Sequence, residues 1–185
     1  MFEPHRHRPW QSPWPDDDAP LVLASFSTGQ AWDQTSRIRR TLDAFADGRY
    51  RLLVTTGMAD LSGTPVPPFA ALASHVPHDT VLPRVSVTVT HAGHGTVAAS
   101  LAHGVPLVCL PNRAADQPAL AAQLAQLGAG IALDGDHATA ADIARAVDTV
   151  LRDPGYAVSA GRLATVIDAL PGAAGAATRL EKLAQ

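Results

Sequence analysis

Short apolar runs punctuate this chain at regular intervals. Residues 21–26, 51–55, 70–76, 85–90, 107–110 and 130–133 are each apolar and short, and the run at 85–90 is rich in β-branched residues. Lengths and compositions of this kind predict buried strands. Between them lie longer segments with a helical period. In residues 35–46 the apolar positions Ile38, Leu42 and Phe45 recur at helical spacing, and Asp47-Gly48 ends the element. Helices are also predicted at 97–103, at 118–127 with Gly128 as C-cap, and at 138–151 with Thr139 as cap and Asp142 in the first turn. Two more follow at 156–170 and 173–183, the former with a predicted buried stripe of Leu163, Val166, Ile167 and Leu170. Residues 79–83 predict one short helical turn anchored by Val81 and Leu82. Strands separated by helical segments predict an α/β fold: a Rossmann-like, doubly wound parallel sheet of about six strands with helices on both faces. Residues 1–20 are polar and proline-rich and read as an N-terminal arm or linker, with the folded domain over 21–185.

The most informative stretch runs from Val85 to Gln117. An apolar strand stops at His91-Ala92-Gly93-His94-Gly95-Thr96 and feeds a helix. A strand-to-helix turn of this kind gathers unpaired backbone N–H groups at the positive end of a helix dipole, which suits an anion such as a phosphate. Gly93 and Gly95 allow close approach to the main chain, Thr96 adds a hydroxyl, and His91 can lend an imidazole N–H. Gly104-Val105-Pro106 then closes the helix and opens a strand ended by Pro111, after which a loop presents Asp116-Gln117. An acid and an amide at the carboxyl end of the neighbouring strand suit the hydroxyls of a sugar.

His-x-Gly-x-Gly-Thr, Gly-Val-Pro, a proline-ended strand and Asp-Gln, in this order and spacing, resemble the donor-binding motif of family-one glycosyltransferases, which have the GT-B fold. The match is best over residues 76–133 and looser over 21–185. This resemblance implies one half of a GT-B fold that binds a nucleotide sugar, dTDP- or UDP-linked, for transfer to a small hydrophobic acceptor, as in bacterial antibiotic-type members. It implies that His91 stabilises the departing diphosphate as the catalytic residue, with no metal and no other cofactor. Substrate-binding positions implied by the match are Ser27, Thr28, His75, Val76, His78, Gly93, His94, Gly95, Thr96, Asp116 and Gln117. His75 stands where many members place a stacking tryptophan, and an imidazole has less face to offer. Ala99 stands near a glutamate that holds the ribose hydroxyls in many members, and Leu120 replaces a common asparagine. Family members are about twice this length, on the scale of two domains. Their general base, a histidine, belongs to the N-terminal acceptor-binding domain, and no residue here matches it. Turnover by this chain alone is therefore not expected.

Composition narrows the alternatives. An apolar fraction of 46% with 17% charged residues belongs to a globular chain, and a net charge of −3 without a basic cluster argues against nucleic acid as a partner. No apolar run is long enough to span a membrane, and the charged start is not a signal peptide, so a cytoplasmic location is expected. The single cysteine, Cys109, lies in an apolar strand and reads as core. His5, His7 and Asp16-Asp17-Asp18 sit in the arm and read as solvated rather than metal-binding. Two rivals stay open. Gly93 to Ala98 also spells the Gly-x-Gly-x-x-Ala of a dinucleotide-binding dehydrogenase, although that fingerprint normally follows the first strand. A non-catalytic nucleotide-sugar-binding module is the other.

Overall fold

The computed structural model describes residues 10–15, 19–26, 34–113 and 116–183. Six strands, β1 (Leu21–Ser25), β2 (Arg51–Thr55), β3 (Ala70–Ala73), β4 (Val85–Thr90), β5 (Leu107–Cys109) and β6 (Gly130–Ala132), form one sheet. The helices are α1 (Thr35–Ala44), α2 (His78–Val81), α3 (His94–Ala102), α4 (Gln117–Gln126), α5 (Ala140–Arg152), α6 (Pro154–Asp168) and α7 (Gly172–Leu183), with a 3-10 turn at Leu82–Arg84. All pairings are parallel, in the order β3-β2-β1-β4-β5-β6. The predicted doubly wound α/β fold is therefore the observed one.

Strand alternation sorts the core onto two faces. Val22, Ala24, Leu52, Val54, Val87, Val89, Val108 and Leu110 pack with Ile38 and Leu42 of α1, with Phe45 at its C-cap, and with Ile143, Val147 and Val150 of α5. On the other face Leu107 and Cys109 meet Val97 and Leu101 of α3, Ala121 and Leu124 of α4, and Ala160 of α6. Burial pushes the Cys109 thiol up to about 12, which makes it an inert core group. Beside this cluster Leu21, Leu23, Leu53 and Val85 pack on Val76, Val81 and Leu82, with Trp10 and Trp14 of the arm laid against them.

Chain-end signals act as their chemistry predicts. Thr139 accepts from the Asp142 N–H at 3.2 Å while the Asp142 carboxylate accepts from the Thr139 N–H at 3.0 Å, a reciprocal cap on α5. Gly128 closes α4 with φ 68°. The predicted stripe of α6 is corrected. Leu163 and Ile167 pack with Ala160 against α3, whereas Val166 is 60% exposed and Leu170, beyond the end of the helix, 61% exposed. The contact line is set by where α3 lies, and it runs one step around the helix from the stripe that apolarity alone selects.

Candidate functional site

β1 leads outward to β2 and β3, and the chain then returns to place β4 on the other side of β1. Strand order reverses there, and in an open α/β sheet the crevice beyond the carboxyl ends of such strands is where ligands sit. A cleft of about 350 Å³ occupies that position, lined by Ser25, Phe26, Thr55, His75, Val76, His78, His91, Gly93, His94, Gly95 and Thr96.

Its β4 wall is built from the glycine turn. Helix α3 begins at His94, three residues before its predicted start at Val97. The reason is that Gly93 already has the extended backbone of an N-cap (φ −70°, ψ 137°) and its carbonyl accepts the first helical bond, from the Val97 N–H at 3.0 Å. Gly95 and Thr96 thus belong to the first turn rather than to a loop. Gly93 has no side chain to cap that turn, so the N–H groups of His94, Gly95 and Thr96 precede the first intrahelical bond at the positive end of the dipole. A Cβ on Gly93 would lie 2.5 Å from His91 Nε2, so only glycine lets the imidazole rest against the turn. A Cβ on Gly95 meets nothing within 4 Å. Between them Ala92, fully buried, holds φ 64°. That left-handed conformation costs a residue with a Cβ about 1–2 kcal/mol, and it aims His91 and the Gly93 backbone toward the same cleft.

His91 is buried, and burial first, then the Arg37 guanidinium, lowers its pKa below 6.5. The ring is therefore neutral at pH 7, with one N–H to give. Its Nδ1 is buried without a hydrogen-bond partner among the described residues, as are Oγ1 of the preceding residue, Thr90, and Nδ2 of Asn112 after β5. Arg37, itself buried, is held by Asp136 at 2.6 Å.

The β1–β2 wall differs. Thr55 Oγ1 donates to Ser25 Oγ at 3.0 Å, and Ser25 Oγ lies 3.1 Å from His78 Nε2. Burial lowers the His78 pKa, with His75 adding to the effect. A neutral ring can then accept the Ser25 proton on Nε2. His75 is exposed at the rim and Val76 is buried beside it.

Asp116 and Gln117 are not among the cleft-lining residues. The Asp116 carboxylate lies 3.0 Å from His94 Nδ1, which links it to the cleft edge. Gln117 opens α4 and is buried; its Oε1 accepts from the Asn112 N–H at 3.0 Å and so ties the loop after β5. Ser27 and Thr28 lie outside the described residues, as do His5, His7 and Asp16 to Asp18. Ser25, Phe26, Thr55 and Arg37 were not selected from the sequence. The first three could have been found from the rule that ligands sit at strand carboxyl ends; Arg37, an arginine beside Ile38 in an apolar stripe, carried a weaker signal. Among the described residues no three His, Cys, Asp or Glu side chains cluster to hold a metal ion, and no helix is long and apolar enough to cross a membrane.

Comparison with known proteins agrees with the fold. The profile of the family "Erythromycin biosynthesis protein CIII-like, C-terminal domain" matches residues 39–183. The chain is 38% identical over 112 residues to 4'-demethylrebeccamycin synthase of Lentzea aerocolonigenes, covering 60% of this chain and 26% of that one. It is 31% identical over 147 residues to aclacinomycin-T 2-deoxy-L-fucose transferase of Streptomyces galilaeus, covering 79% and 33%. The crystal structure of CalG4, the calicheamicin glycosyltransferase, superposes with a TM-score of 0.83 at 29% identity over 94% of this chain and 44% of that one. The chain thus spans less than half the length of each of these relatives. It belongs to the erythromycin biosynthesis protein CIII-like C-terminal domain family, the carboxyl-terminal domain of GT-B, family-one glycosyltransferases.

Proposed function

We propose that this domain is the donor-binding half of a metal-independent glycosyltransferase that takes a sugar from a dTDP- or UDP-sugar and passes it to a small hydrophobic acceptor. One observation carries the reading: the uncapped first turn of α3 and the buried His91 ring, seated against Gly93, face a single cleft at the point where strand order reverses. The dinucleotide rival is less well supported, because its fingerprint would follow β1, whereas the glycine turn here follows β4.

In the reaction the bond between the anomeric carbon and the diphosphate oxygen breaks, and its electron pair leaves with the diphosphate. The N–H groups of His94, Gly95 and Thr96, the α3 dipole, the Thr96 hydroxyl and the neutral His91 ring meet that charge as it grows. Being fixed by the fold, they need little rearrangement at the moment of transfer. Asp116 and Gln117 orient the sugar, Gln117 through the part of its amide not engaged by Asn112. Val76 and His75 border the nucleotide base, and His78 shapes the floor beneath it. Removing the acceptor's proton falls to a second, acceptor-binding domain, so the domain alone binds donor without transferring sugar.

A thermal-shift series with UDP, dTDP and NAD tests this. Either nucleoside diphosphate at about 100 times its Kd should add about 2.7 kcal/mol, raising Tm by roughly 5–10 °C. Stabilisation by NAD alone, or by none of the three, overturns the reading.

A further inference from the structure

Asp116 is the N-cap of α4, a position where an aspartate ordinarily accepts from its own helix's N–H groups. Here it makes no such bond. Its carboxylate instead turns to His94 Nδ1, 3.0 Å away on the first residue of α3. The two side chains are 59% and 70% exposed, and ion pairs so exposed add little to stability. Folding therefore gives no strong reason for Asp116 to leave its own helix uncapped in favour of the neighbouring one.

The site supplies a reason. Helices α3 and α4 start side by side at the carboxyl ends of β4 and β5, and the amides of α3 face the position proposed for the diphosphate. A free carboxylate at that spot would be repelled by the diphosphate and drawn away from the cleft. We propose that His94 is a positioning residue for the donor's sugar, acting through Asp116: its ring, with Nδ1 3.0 Å from a carboxylate oxygen, keeps the carboxylate at the cleft edge, where its oxygen lone pairs can accept from sugar hydroxyls. This inference rests on the donor-site reading above. His94 acts on the sugar and not on the nucleotide, because the N–H groups that receive the diphosphate belong to the backbone and survive any change of its side chain.

Calorimetry on this chain with two probes, dTDP and dTDP-glucose (or UDP and UDP-glucose, whichever pair the wild type prefers), reads the difference. In His94→Ala the Kd for the sugar nucleotide should rise about 10-fold or more, the scale of one charge-assisted hydrogen bond, while the Kd for the nucleoside diphosphate moves less than about 3-fold. His94→Asn places an amide N–H where Nδ1 stood and should recover most of the loss. Asp116→Ala, which removes the sugar contact itself, should lose at least as much as His94→Ala, and the double variant should be no worse than Asp116→Ala, since His94 acts only through that carboxylate. Equal losses for the two probes, no rescue by asparagine, or additive losses in the double variant would overturn the role of His94 and leave the donor site standing. A wild-type chain that binds neither probe would overturn the donor site and the positioning role together.

Discussion

At the ends of β1 and β2 the polar side chains satisfy one another. Thr55 donates to Ser25, and Ser25 meets the ring of His78. At the end of β4, across the same cleft, they do not. His91 Nδ1 and Thr90 Oγ1 are buried without partners among the described residues, the next residue, Ala92, is held in a left-handed backbone, and the helix that follows starts uncapped. Both histidines are kept neutral by burial, so charge does not separate the two walls. What separates them is hydrogen-bond closure. A closed network stabilises the fold, whereas buried groups left without a partner cost stability and need another reason to be there.

The sharpest way to break the contrast is at the glycines. Gly93→Ala forces a Cβ to 2.5 Å from His91 Nε2, so the ring must leave its place. Nucleoside diphosphate affinity should fall on the order of 100-fold, with a stability loss of about 1–3 kcal/mol from overpacking. Gly95→Ala, whose Cβ enters open space, should leave the urea midpoint unchanged and reduce affinity far less. Parallel calorimetry and chemical denaturation on the two variants check this, and equal behaviour would mean that His91 is not held by Gly93.

Exchanging the histidines is the next test. His91→Ala should weaken diphosphate binding by roughly 10-fold or more while stability barely changes. His78→Ala should do the reverse, removing about 1–2 kcal/mol of stability with affinity nearly kept. If His78→Ala proves to be the binding variant, the two walls have been assigned the wrong way round.

Acid should expose both imidazoles together. Each has a folded pKa below 6.5, so under about pH 6.5 the unfolded chain takes up protons that the folded chain refuses. Stability contributed by the neutral rings is thus complete above that pH and is lost as pH falls through the folded values. Urea midpoints at pH 7.5 and 5.5 should show the decline, and the double variant His78→Asn/His91→Asn should flatten it.

The smallest effect is expected far from the cleft. Thr139→Ala breaks the reciprocal cap on α5 and should lower Tm by about 2–4 °C without altering nucleotide affinity. A change in affinity would mean that α5 and the cleft are coupled.

Most of the scaffold is readable residue by residue. The alternation in β1, β2 and β5 and the apolar spacing of Ile38, Leu42 and Phe45 are local consequences of strand and helix geometry, and each found its face of the sheet. The glycine turn was readable too, because a strand meeting a helix across Gly93 has few ways to run. Its boundary was not, since the helix start depends on one backbone angle at Gly93 that residue type leaves free. Val166 shows the limit for helices: apolarity marks a stripe, but the neighbouring helix chooses the face.

What no local pattern could decide is which polar groups meet. Arg37 and Asp136 stand 99 residues apart, and Ser25 and His78 53 apart. Placing β4 against β1 rather than beyond β3 is a matter of strand order, and strand order brings the two walls into one cleft. The amino-acid sequence by itself determined the strands, the helices and the glycine turn between β4 and α3, because those follow from neighbours in the chain. Tertiary structure alone decided that His78 meets a partner, that His91 Nδ1 does not among the described residues, and that Asp116 lies against His94 rather than capping its own helix, because such contacts are made between groups that folding brings together.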